Sequence, residues 1–163
     1  MVLLIIIATV SIALSFMCSV LEAALLSITP SYIAKQKEDK PKLHASLTRL
    51  KDNIDRPLAA ILTLNTIAYT VGATAVGAQA AVVFGESSIG IVSAVMTMLI
   101  LVLSEIIPKT IGATYWRGLS PLLPRFLKPM IIILLPFIWM SEQITRRLGK
   151  SERDVDLRDE IKV

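Results

Sequence analysis

Cysteine and histidine are nearly missing from this 163-residue chain, which has one of each, Cys18 and His44. A single cysteine excludes an intrachain disulfide, and a single histidine excludes a histidine-rich metal site. Charge is missing over long stretches, since residues 1–21, 57–85 and 87–104 contain no Asp, Glu, Lys or Arg. No GxxxxGK[ST] phosphate loop occurs, so nothing in these residues points to a nucleotide as energy source. The first 17 residues lack Lys and Arg and lead to no small-x-small cleavage pattern, which argues against a removable secretory signal. Phe16 and Met17 stand before Cys18 where a lipid-modified cysteine would need small residues, so Cys18 reads as a small buried apolar side chain.

What is present is apolar: 54% of residues are hydrophobic, and the mean hydropathy is +0.67. A span needs roughly 20 mostly apolar residues. The three uncharged runs meet that requirement once the third is extended through Glu105 to Pro108, which predicts an all-α integral membrane fold with three transmembrane helices. Seven basic residues, from Lys35 to Arg56, lie between the first and second runs, none between the second and third, and ten from Lys109 onward. All therefore fall on one side of a three-span layout, which predicts a multi-pass cell-membrane protein with the N-terminus outside and the C-terminus cytoplasmic. The net charge of +4 does not point to nucleic acid, because the basic residues flank spans, where anionic membrane lipid explains them.

Between the first two spans, Pro30 and Ser31 read as a break and cap. Leu43, Leu47, Leu50 and Ile54 recur at helical spacing, predicting one or two cytoplasmic amphipathic helices with His44 at the surface. Beyond Pro108, Leu119, Leu122, Leu123, Phe126, Leu127, Met130, Ile131 and Leu134 form a stripe. It predicts a juxtamembrane helical belt, kinked by Pro121, Pro124, Pro129 and Pro136, rather than a fourth span. The transmembrane unit with its belt covers 1–140, and 141–163 begins a charged cytoplasmic helical segment, expected to be cut short ahead of further domains.

The polar residues inside the spans carry the chemistry. An ionised carboxylate at a helix centre costs about 2.5–3.5 kcal/mol on insertion scales, so Glu105 needs compensation. Pro108 lacks an N–H, and by α-helical count the carbonyl of Ser104 then loses its partner beside Glu105. Either an ion binds Glu105, or Lys109 pairs with it at i,i+4, or it is protonated. On the first span, Ser19 and Glu22 stand among Ser11, Ser15, Ala23 and Ser27 at intervals of four; Ser11 and Ser15 are assigned to helix contact. Asn65, beside Thr66 and followed by Ala73 and Gly77, is the conspicuous polar residue of the second span. Carboxylate, amide, hydroxyl and carbonyl oxygens without Cys or His form a hard-oxygen set suited to Mg²⁺, Ca²⁺ or Na⁺. An intramembrane enzyme is disfavoured, because no nucleophile and base pair lies at suitable depth.

Three motifs in order carry a resemblance: Ser19-Val20-Leu21-Glu22-Ala23-Ala24-Leu25-Leu26-Ser27, Asp55-Arg56-Pro57 leading to Leu64-Asn65-Thr66, and Glu105-Ile106-Ile107-Pro108-Lys109-Thr110-Ile111-Gly112-Ala113. From about Leu3 to Gly149 the chain resembles the membrane domain, of the DUF21 type, of the CNNM/CorC magnesium transporters. The resemblance implies a homodimer with a cytoplasm-facing Mg²⁺ site lined by Ser19, Asn65 and Glu105; the Ser104 carbonyl freed by Pro108 is a further candidate ligand. Glu22, Ser27, Thr66 and Gly112 follow as candidates for a coupling ion or a supporting shell. It also implies Na⁺-coupled Mg²⁺ efflux; the alternative is a non-transporting Mg²⁺ sensor or scaffold. Family members usually continue into a CBS domain pair, which lies outside these 163 residues. Leu64 and Ser104 depart from the glycines that many relatives carry before the Asn and the Glu.

Overall fold

The computed structural model describes residues 1–160, with side chains described through Gly149, and over those residues the chain is helical apart from short turns and caps. The charged segment of 141–163 thus lies partly outside the described residues. Helix α1 is Val2–Ser27, α2 Pro30–Asp39, α3 Pro41–Asp52 and α4 Asp55–Phe84. A single 3₁₀ turn, Glu86–Ser88, leads into α5, Ile89–Leu99, which continues through a π-helical stretch, Ile100–Ile106, into α6, Ile107–Thr114. Then come α7, Trp116–Leu119, α8, Leu122–Ile133, and α9, Leu135–Glu160. Three helices, Val2–Ser27, Asp55–Phe84 and the continuous Glu86–Thr114, are long and apolar enough to cross a membrane. Each outruns its uncharged stretch because Glu22, Arg56 and Lys109 are accommodated within the helical turns near one end.

Alpha4 buries Pro57, Ile61, Asn65, Ala68, Gly72, Val76 and Ala80, a seam at spacings of three and four that faces the other spans. The close approach on that seam is at Gly72, where an added Cβ would overlap the Ser11 hydroxyl, while around Gly77 nothing lies within 4 Å. The small-residue contact thus sits at Gly72, one residue before Ala73 and five before Gly77. Alpha1 answers with Ser15, Cys18, Ser19, Leu21 and Ala24, all buried. Gly85 closes α4 with φ +92, a left-handed conformation that only glycine adopts without strain, and its N–H bonds the Ala81 carbonyl. The second and third spans therefore form a tight hairpin.

The densest apolar core lies at the other end, where α1 finishes and α4 begins. There Leu21, Leu25 and Ile61 pack with Leu47 and Leu50 of α3, Leu123 and Leu127 of α8, and Ile138 of α9. Thr29, rather than Ser31, caps α2: its hydroxyl accepts the Tyr32 N–H at 3.3 Å, with Pro30 in the first turn. His44 is less free than a surface residue, since its Nδ1 lies 2.8 Å from the Ile33 carbonyl and ties α3 to α2. Tyr32 meets Trp116 edge-on at 5.0 Å, and its hydroxyl lies 2.8 Å from Ser120 Oγ, pinning α2 to the segment after the third span.

The segment expected to form a belt is two helices bent by 81° at Leu134, and taken together the pair is long and apolar enough to count as one broken span. Its stripe divides: Leu123, Leu127, Met130 and Leu134 face the core, whereas Leu122 and Phe126 are exposed. Pro129 sits inside α8, and Pro136 opens α9, where a missing N–H costs nothing. Alpha9 runs unbroken through residues 140 and 141.

Candidate functional site

Asn65 stands at the middle of the α4 seam, 6% exposed, and bridges the other two spans. Its Oδ1 accepts the Ser15 hydroxyl of α1 at 2.5 Å, and its Nδ2 donates to Glu105 Oε1 of the third span at 3.2 Å. One amide thus fixes a hydroxyl and a carboxylate from two neighbours, which satisfies polar groups that would be costly if left unpaired. Ser19, one turn from Ser15 on α1, is fully buried, and its hydroxyl has no hydrogen-bond partner. Orphaned buried hydroxyls are uncommon and call for an explanation such as an ion or a water.

The opposite oxygen of Glu105 meets Lys109 Nζ at 3.0 Å, and the same ammonium lies 3.6 Å from Glu22 Oε2 on α1. The i,i+4 pair is therefore formed, and it is joined by a second acid on another span. Lys109 remains 47% exposed, against 28% for Glu105 and 17% for Glu22, so the cluster opens toward the end of the spans that carries the basic residues.

Ser104 is fully buried, with its Oγ 3.4 Å from the Ile12 carbonyl of α1. The backbone around it differs from the α-helical count. Ile107 N–H bonds the Val102 carbonyl, five residues back, so the turn leading to Pro108 is wider than an α-helical one. π-Helical bulges occur often at functional sites, and here the bulge carries Ser104 and Glu105 together.

Three sequence candidates stand apart from this cluster. Ser27 bonds its own helix, Oγ to the Ala23 carbonyl at 2.7 Å. Thr66 is exposed off the seam and accepts the Tyr69 hydroxyl at 3.4 Å. Gly112 is a packing residue: an added Cβ would lie 2.5 Å from the Val20 carbonyl oxygen and 2.8 Å from the Ala23 Cβ. It lets α6 reach α1 beside Glu22. The structure adds Ser15 as a participant and extends the expected Lys109 pair to Glu22. Ser15 carried a signal in its interval of four from Ser19, but assignment to helix contact hid its polar role.

Among the described residues no three His, Cys, Asp or Glu side chains gather, so the cluster is built from neutral oxygens around one or two carboxylates. The family profile described as the cyclin M transmembrane N-terminal domain, CNNM, matches residues 6–162. The chain belongs to the CNNM family. Among relatives of this CNNM chain, a UPF0053 protein of Synechocystis sp. is 31% identical over 139 residues, 85% of this chain and 40% of the relative. The UPF0053 inner membrane protein YfjD of Escherichia coli is 31% identical over 118 residues, 72% of this chain and 27% of that protein. A chloroplastic DUF21 domain-containing protein of Arabidopsis thaliana is 28% identical over 149 residues, 88% of this chain and 22% of its own length. The CNNM chain thus spans well under half the length of these relatives.

Proposed function

We propose that this CNNM chain is the ion-conducting part of a Mg²⁺ transporter that works outward across the cell membrane. In this reading Mg²⁺ is the cargo, and it enters from the cytoplasm between the three spans. The observation that carries the reading is the Asn65 bridge, which joins a hydroxyl, an amide and a carboxylate from three spans beside the orphaned Ser19 hydroxyl. Such donors suit a hard cation, and Mg²⁺ would retain water at a site with so few charged ligands. Glu105 supplies charge, Asn65, Ser15 and Ser19 supply neutral oxygens, and the carbonyls of the wide turn around Ser104 are further candidates.

The basic residues on one side favour a cytoplasmic C-terminus and an outside N-terminus. Expelling Mg²⁺ against 100 mV, inside negative, costs roughly 4.6 kcal/mol, twice the figure for one charge, so export requires a driving ion. Inward Na⁺ is the proposed driver, with Glu22 as its candidate site. A homodimer is the proposed assembly.

The test is Mg²⁺ flux from liposomes holding the full chain, with and without a Na⁺ gradient, for wild type and Glu105→Gln. Na⁺-dependent flux that disappears in the variant is expected. Specific Mg²⁺ binding without flux would instead favour a sensor or scaffold.

A further inference from the structure

Lys109 lies one turn beyond Glu105 and reaches the carboxylates of two spans, 3.0 Å from Glu105 and 3.6 Å from Glu22. Two carboxylates and one ammonium leave the cluster with a single negative charge. A divalent cation at Glu105 would turn that into a single positive charge, and in a poorly polarisable environment the repulsion between the ion and the ammonium is strong. A monovalent cation would leave the cluster neutral. The ammonium rides on a flexible four-carbon stem and is 47% exposed, so it can leave Glu105 without any backbone movement.

We infer that Lys109 is a tethered cation that competes with a divalent ion for Glu105, and that Glu22 is the carboxylate to which it retreats while the ion is held. The inference rests on the proposed ion site and adds its internal competitor. Glu22 then strengthens divalent binding without touching the ion, by keeping the ammonium away. Sodium bound at Glu22 returns the ammonium to Glu105 and expels the divalent ion. That sequence is an exchange of one cation for another, carried by a side chain that never leaves the protein.

A plain structural salt bridge and a direct ligand role for Glu22 make different predictions, and a double-mutant cycle separates them. Mg²⁺ binding is measured by calorimetry on the full chain in lipid nanodiscs, in the presence and absence of Na⁺. The set is wild type, Lys109→Met, Glu22→Gln and the double variant. Lys109→Met is expected to lower the Kd for Mg²⁺ tenfold or more, and Glu22→Gln to raise it severalfold. The double variant should bind like Lys109→Met, and Na⁺ should weaken Mg²⁺ binding in wild type but not in Lys109→Met.

Unchanged or weaker binding by Lys109→Met overturns the competition. A double variant that keeps the full loss of Glu22→Gln assigns Glu22 to the ion itself and removes its role as a retreat. Lys109→Gln carries the same expectation should the methionine variant aggregate. If wild type and all variants bind no Mg²⁺, the proposed transport reading falls with the inference; if wild type and Lys109→Met bind equally, the inference alone falls.

Discussion

A methyl group added at Gly112 would meet the Val20 carbonyl oxygen and the Ala24 nitrogen, both backbone atoms that cannot turn aside. Gly112→Ala is therefore expected to push α6 off α1 and to cost about 1–3 kcal/mol, seen as a lower melting temperature in detergent. Gly77→Ala meets nothing within 4 Å and should be neutral or gain up to about 1 kcal/mol. A loss at Gly77 would mark that position as covered by another subunit. Asn65 allows a sharper test, because its Nδ2 donates to Glu105. Asn65→Asp places a second carboxylate there, so the variant should melt below wild type in chelator and recover most of the difference when millimolar Mg²⁺ is added. Recovery by Mg²⁺ no greater than in wild type would contradict a cation site at this spot. The polar residues themselves were legible, since Asn65 and Glu105 stand out in apolar runs. Which serine meets Asn65 was not, because Ser11, Ser15 and Ser19 share one face of α1, and only the depth at which the helices cross selects Ser15.

Alpha4 and α9 are joined outside the apolar core by Arg56 Nε and Glu142 Oε1 at 2.8 Å. The hydrogen bond and charge of Arg56 hold the Glu142 carboxyl below its ordinary range, against a smaller opposing effect of burial. A depressed carboxylate stabilises the fold above its unfolded pKa, and that contribution is lost as pH falls through the folded value. The link should hold from neutral pH down into the ordinary glutamate range and be lost only below it, as pH falls through the depressed value of the folded carboxyl. Glu142→Gln should remove that step in a melting-temperature profile while costing less than about 1 kcal/mol at pH 7, as expected of a partly exposed pair. The three long apolar helices, the bent pair that follows them and the amphipathic helices between the first two were legible because uncharged runs, prolines and leucine spacing each mark a boundary. The π-helical stretch Ile100–Ile106 was not, since Ile-Leu-Val-Leu-Ser-Glu-Ile has no residue that demands a wide turn. It widens the turn that carries Ser104 and Glu105, a change invisible to counting by four.

Over the whole molecule, every Lys and Arg follows α1, and none lies between Arg56 and Lys109. The sidedness this pattern favours is tested by labelling. Cys18 is fully buried and should give little background. A membrane-impermeant maleimide added to intact cells should modify Ser87→Cys and spare Ala45→Cys, with the pattern reversed for inside-out vesicles. Labelling of Ala45→Cys from outside would invert the proposed topology and with it the direction of transport. The turn at Gly85 also bears on how such a protein could move. With so few residues between Phe84 and Ile89, there is no length of chain at this end of the helices to fold over as a flap. In the proposed transporter, access on that face would depend on how far the paired helices lean away from α1 about the close contact of Gly72 with Ser11, two levers on one fulcrum.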